Sequence, residues 1–148
     1  AAIQSVGMVG AKNALPKLKS LLENSQYSDE RLAITISTGY IGDTSSIPFL
    51  RELLYDEEPN IRWDAAVGLA KMGDTSSVFI IENLLDRQYL SSFPELSPLE
   101  IDQVISTAIY VTSILKHDRF YSKLKGLTLD ENLKIRNAVI KTIEKTYQ

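Results

Sequence analysis

The chain has 148 residues, 44% hydrophobic and 24% charged, with a formal net charge of −3. That apolar content can offset the entropy of ordering, so wholesale disorder is excluded, and the net acidity argues against a general polyanion binder. There is no cysteine and His117 is the sole histidine, which removes disulfides, thiolate metal sites, cysteine nucleophiles and any imidazole cluster within one chain.

Read from its start, the chain places Ala2, Ile3, Val6 and Val9 before Gly10, as Ala65, Ala66, Leu69 and Met72 stand before Gly73. The opening residues are therefore expected to be the back half of a second helix, in a fragment of a longer array. Gly10, Gly42 and Gly73 recur at a period of 31–32 residues, and this repeat organises the chain. Arg31 and Arg62 stand eleven residues before Gly42 and Gly73, and Arg136 opens a similar segment with Tyr147 where the glycine would fall.

Each unit reads as a helix pair. The first spans residues 13–23 and 28–41, the second 45–55 and 60–72. Gly42 and Gly73 fall where a helix must end, and glycine accepts the left-handed cap at little cost. Asp43, Thr44, Ser45 and Ser46 offer N-caps for the next helix, and Pro16 and Pro48 fit a first turn, where a missing N–H costs little. Ile47, Leu50, Leu53 and Leu54 form an apolar stripe, the turn 55–60 ends it, and Ile61, Ala65, Ala66, Leu69 and Met72 share a face of the second helix. Ala65, Ala66, Gly68 and Ala70 permit close helix approach.

A third unit begins near Ser76 and runs to about Asp86. Residues 87–98, with two prolines and three serines, then break the period and read as an insertion loop. Ser97, Pro98 and Glu100 restart a helix as a capping box, carrying Ile101, Val104, Ile105, Ala108, Ile109, Thr112 and Leu115. A degenerate fourth unit follows. It has a short helix over 119–125 ended by Gly126, a turn at 127–130, and a last helix over 131–147 with Leu133, Ile135, Val139, Ile140 and Ile143 inward.

The Gly-Asp turn, the first-turn proline and the arginine of the second helix, in the run IGD…IPFL…LL…IRWDAAVGLAKMGD, resemble the HEAT-repeat family, in particular the short repeats of the phycobilisome lyase type. The resemblance is strongest over residues 28–86 and weaker over 1–27 and 99–148. It implies an all-α fold, a right-handed α-α superhelix or solenoid of about four HEAT-like helix pairs, in a single domain over residues 1–148. It also implies that Arg31, Arg62 and Arg136, each following an acidic turn, bind turn acids between stacked units rather than forming a phosphate ladder.

Trp63, Val67 and Lys71 fall on a stripe expected to line the concave side of such a solenoid, with Leu32, Ile36 and Tyr40 at the matching positions one unit earlier. Trp63, Val67, Lys71, Leu32, Tyr40 and Tyr110 are the candidate partner contacts, since aromatic residues are enriched at interface hot spots. Tyr89 and Phe93 in the insertion could dock a partner, though a passive loop is the default there. His117 has no partner motif for catalysis. Residues 116–148 carry a net +4 and the remainder −7, which allows a basic end to meet an acidic protein.

The expectation is a non-enzymatic protein-binding or scaffold module, with another protein or peptide as partner and no cofactor or metal. Nucleic acid is disfavoured as a partner and no run approaches the roughly 18 apolar residues of a membrane span. The alternatives are a lyase or chaperone-like subunit acting on a pigment or cofactor protein, which rests on the resemblance alone, and a nucleic-acid-binding HEAT domain.

Overall fold

A computed structural model describes residues 15–147; the half-helix expected before Gly10 lies outside them. Among the described residues there are nine α-helices and no strand: α1 Leu15–Asn24, α2 Ser28–Ile41, α3 Ile47–Leu53, α4 Pro59–Lys71, α5 Val78–Leu84, α6 Arg87–Ser91, α7 Pro98–Leu115, α8 Phe120–Leu127 and α9 Leu133–Thr146. They form four pairs, α1–α2, α3–α4, α5–α7 and α8–α9, with α6 inserted in the third. The all-α class and the helix pairing expected from the repeat stand. The chain divides into two compact units, one ending at Ser77 and the other beginning at Val78.

In the first unit α2 packs chiefly on α4, and α3 on α4. Gly42 (φ +65°) and Gly73 (φ +78°) take the left-handed conformation expected where the second helices end. Asp43 then accepts a hydrogen bond from the Ser45 N–H (2.9 Å), and short 3-10 turns, Thr44–Ser46 and Thr75–Ser77, lead into α3 and α5. Pro59 does not close the turn after α3 as read from sequence; it opens α4, where its missing N–H would have had no helical partner. Ile34, Leu50, Leu54, Ile61, Ala65, Ala66 and Leu69 make the core. Gly39 and Gly68 meet where α2 crosses α4: a Cβ on Gly68 would lie 3.0 Å from Gly39 Cα, and one on Gly39 3.2 Å from Gly68 Cα.

In the second unit α7 packs against α5, α6 and α9, and α9 against α8. The expected capping box is present. Ser97 Oγ accepts from the Glu100 N–H (3.3 Å) and the Glu100 carboxylate accepts from the Ser97 N–H (2.8 Å). Three expectations fail. Residues 87–98 are not a loop throughout, because Asp86 accepts from the Tyr89 N–H (3.2 Å) and starts α6, whose Leu90 is buried completely. Gly126 does not end a helix. α8 continues through it to Leu127, because Leu124 and Leu127 are both buried on its inner face. In α9 only Ile135 and Val139 are buried. Leu133 and Ile140 are exposed, and the helix starts at Leu133 because the Asn132 side chain accepts from the Lys134 N–H (2.8 Å).

The glycine contact and the glycine cap should respond differently to alanine. Gly73→Ala forces a left-handed alanine into open space, a cost of roughly 1–2 kcal/mol. Gly68→Ala sets a methyl against backbone that cannot rotate away, so α2 and α4 must part, at about 1–3 kcal/mol. Urea unfolding of both variants measures this; a Gly68→Ala protein as stable as the parent would mean that the crossing is not tight.

Candidate functional site

Because neither Gly39 nor Gly68 carries a side chain, the α2–α4 crossing leaves a recess of about 110 Å3 above them. Ile36 and Tyr40 of α2 and Asp64, Val67 and Lys71 of α4 enclose it. Ile36 is 46% and Tyr40 65% exposed, so an apolar and an aromatic side chain stand open to solvent beside it. Asp64 is half-buried, and no hydrogen bond or ion pair reaches its carboxylate among the described residues. Burial pushes its pKa up to about 6, and the Lys71 ammonium offsets only part of that shift.

The structure therefore brings together Tyr40, Val67 and Lys71 of the expected stripe, adds Asp64, and separates the others. Trp63 is corrected. It is 7% exposed and belongs to the buried face of α4, so its truncation would open a cavity rather than remove a surface contact. The reason is geometric. At 3.6 residues per turn, steps of four drift by about 40° each, so the line 63–67–71 spirals off the open face, whereas 64, 67 and 71 stay on it. Leu32 is half-buried and outside the recess. Tyr110 is 59% exposed on α7 in the second unit and takes no part in it. Asp64 was missed because an acid on an outer helix face resembles ordinary solvated charge; its signal was its place one turn from Gly68 and two from Lys71.

The arginines are structural, but not all as the resemblance implies. Arg31 grips the Asp56 carboxylate of the next hairpin through Nε (3.3 Å) and Nη2 (3.2 Å). Arg62 and Arg136 instead donate to carbonyls of their own turns. Arg62 reaches Asp56 O (2.6 Å) and Glu57 O (3.0 Å), while Arg136 reaches Asp130 O (2.5 Å) and Glu131 O (3.3 Å). In the second unit the grip on the turn carboxylate comes from Arg87 of α6, whose Nε and Nη2 meet Asp130 at 2.8 and 2.9 Å, and whose Nη2 also meets Asp102 at 2.6 Å. The Arg87 guanidinium holds Asp102 below the usual carboxylate range. Burial would raise Asp74, but hydrogen bonds from Arg51 and Ser76 outweigh it and hold that acid low.

Part of the basic end is engaged at home. Arg119 pairs with Glu82 (2.8 Å) and Lys123 with Asp86 (2.6 Å), and residues 78–148 hold nine Lys and Arg against nine Asp and Glu. His117 Nδ1 accepts from the Arg119 N–H (3.3 Å), and its ring lies against Phe120. A larger cleft of about 480 Å3 opens between α1 and α3, with Leu15, Pro16, Thr38 and Phe49 among its walls and Lys19 as its one ionisable group among the described residues.

Two substitutions separate construction from recognition. Arg87→Ala strands Asp130, whose side chain is 3% exposed, and should cost about 3 kcal/mol in thermal or urea unfolding; a loss near zero would return 87–98 to the status of a passive loop. Asp64→Asn should stabilise. An acid with a pKa near 6 when folded and about 4 when unfolded binds its proton more tightly in the fold. Stability therefore falls as pH rises from about 4 to about 6, and the full penalty, up to about 3 kcal/mol, is present at pH 7. Unfolding curves of Asp64→Asn and the parent should differ at pH 7 and converge near pH 4; equal stability at pH 7 would contradict the assignment.

The family model for HEAT repeats matches residues 15–89, half of the chain, from the first described helix into α6. No curated protein matches the chain. With the glycine-capped helix pairs, the stacked second helices and the arginine-bound turns, that match places the chain in the HEAT-repeat family.

Proposed function

We propose that the protein is a non-enzymatic protein-binding module whose contact surface is the open α2–α4 face. The observation that carries this reading is the exposed pair Ile36 and Tyr40 beside a recess walled by Val67, Asp64 and Lys71, on helices whose other faces are core. HEAT repeats generally serve protein interaction or scaffolding, which fits a rigid helical face better than a reactive centre. The recess holds one carboxylate, one ammonium and one phenol, without a nucleophile held against a base. The ion pairs that engage Arg119 and Lys123 weigh against a phosphate-binding groove in the second unit.

A role in handling a pigment or cofactor protein, as for phycobilisome lyase subunits, would need the cleft between α1 and α3. Among the described residues that cleft presents a single ionisable group, Lys19. The protein-binding reading is the one the geometry supports best.

A photo-crosslinking amino acid placed at Tyr40, and separately at Tyr55 on the turn after α3, tests it, since both positions are exposed. In extracts of the native host, position 40 should yield a discrete adduct that position 55 does not. Equal labelling at both, or none at 40, would remove the α2–α4 face as the contact surface.

A further inference from the structure

The recess specifies more than a surface. We propose that it is a receptor for one cationic side chain, a lysine or arginine of the bound protein segment, which lays its aliphatic stem between Ile36 and Val67 and its charge against Asp64. This rests on the protein-binding reading and adds the chemistry of what is bound.

Size is the first argument. At about 110 Å3 the recess has the room of three or four waters, the scale of one side-chain end, and falls well below the roughly 300 Å3 at which small-molecule sites begin. Its walls are the second. Ile36 and Val67 suit methylenes, and the open Tyr40 ring offers a π face to a cation at the rim.

Charge is the third argument. The Asp64 carboxylate is half-buried without a hydrogen-bond donor among the described residues, while Asp56, Asp74, Asp86, Asp102 and Asp130 each have a guanidinium or ammonium within hydrogen-bond distance. The titratable groups facing Asp64 are Tyr40 from α2 and Lys71 from its own helix, and Lys71 makes no ion pair with it among the described residues. Over residues 15–77 there are six Lys and Arg against ten Asp and Glu, so the surrounding field favours a cation. No group of three or more metal-ligating side chains exists among the described residues, which directs the site to an organic cation rather than a metal ion.

An incoming cation would restore what burial takes from Asp64. The free protein bears the cost of a poorly solvated carboxylate, and the bound state exchanges it for a charge-assisted hydrogen bond. The site therefore discriminates against a neutral side chain of the same shape, because that leaves the carboxylate desolvated and still unpaired.

The test is an NMR titration of the whole chain with three probes: N-acetyl-arginine amide, N-acetyl-lysine amide, and the neutral isostere N-acetyl-citrulline amide. The two cations should move the Ile36 and Val67 methyl and Tyr40 ring resonances and lower the titration midpoint of the Asp64 carboxyl carbon; citrulline amide should do neither. Asp64→Asn should weaken cation binding by about tenfold or more while the fold persists. Equal response to citrulline amide, an unmoved Asp64 midpoint, or undiminished binding by Asp64→Asn would each overturn the proposal. A Tyr40 cross-link that survives Asp64→Asn at full yield would keep the face as a protein surface and overturn the cation receptor alone.

Discussion

Everything in each unit hangs on a buried carboxylate in a helix-hairpin turn. Asp56 and Asp130 each accept from the backbone N–H two residues on, at 2.9 and 2.8 Å, and each receives a two-pronged guanidinium from another helix pair or from the inserted helix. Six residues further along, Arg62 and Arg136 take the carbonyls of the same turns. A hairpin turn leaves the last carbonyls of one helix and the first N–H groups of the next without helical partners. Here the acid takes one of those N–H groups, one arginine takes two of the carbonyls, and a second arginine ties the turn to its neighbour through the acid. Its strength lies less in the net gain of the ion pairs than in the cost of breaking them, because a lone charge left inside is expensive.

With the turns held, the spacing of the second helices is set by what stands between them. In the first unit that is Gly39 against Gly68, and the absence of two methyl groups has two consequences. The helices come close enough to bury Ala65, Ala66 and Leu69 completely, and the surface above the crossing is left concave. The same contact that completes the core thus makes the recess. Asp64 lines it and loses water on one side, which is why its pKa is raised above the usual carboxylate range.

The parts of this structure legible in the sequence are those that repeat. Gly42 and Gly73, Pro48, the capping box at Ser97 and the helix 28–41 could be placed because each has a local physical reason visible within a few residues. The misread parts depend on partners far along the chain. Arg87 sits in a serine- and proline-rich run with no repeat marker, and its role appears only when Asp130, forty-three residues on, folds back to it. Gly126 looked like a stop because a cap glycine and a helical glycine are the same letter, and only the burial of Leu127 separates them. Trp63 looked like a contact because tryptophan draws the eye. A shift of one residue along α4, about 100° around the axis, moves the open stripe from Trp63 to Asp64.

That one-residue shift also changes the kind of partner the face suits. A stripe led by tryptophan would recognise apolar bulk and say little about charge. A stripe of Ile36, Tyr40, Val67 and Lys71 beside Asp64 is amphipathic, with one half-buried carboxylate and one exposed ammonium. An apolar residue pressed onto such a recess would deepen the burial of an unpaired carboxylate, so hydrophobic contact alone would work against itself there. A cation seated at Asp64 removes that penalty and lets the surrounding apolar contacts count in full. That acid therefore decides which segments the surrounding side chains can hold, and a repeat otherwise devoted to construction acquires selectivity through a half-buried carboxylate that no arginine among the described residues reaches.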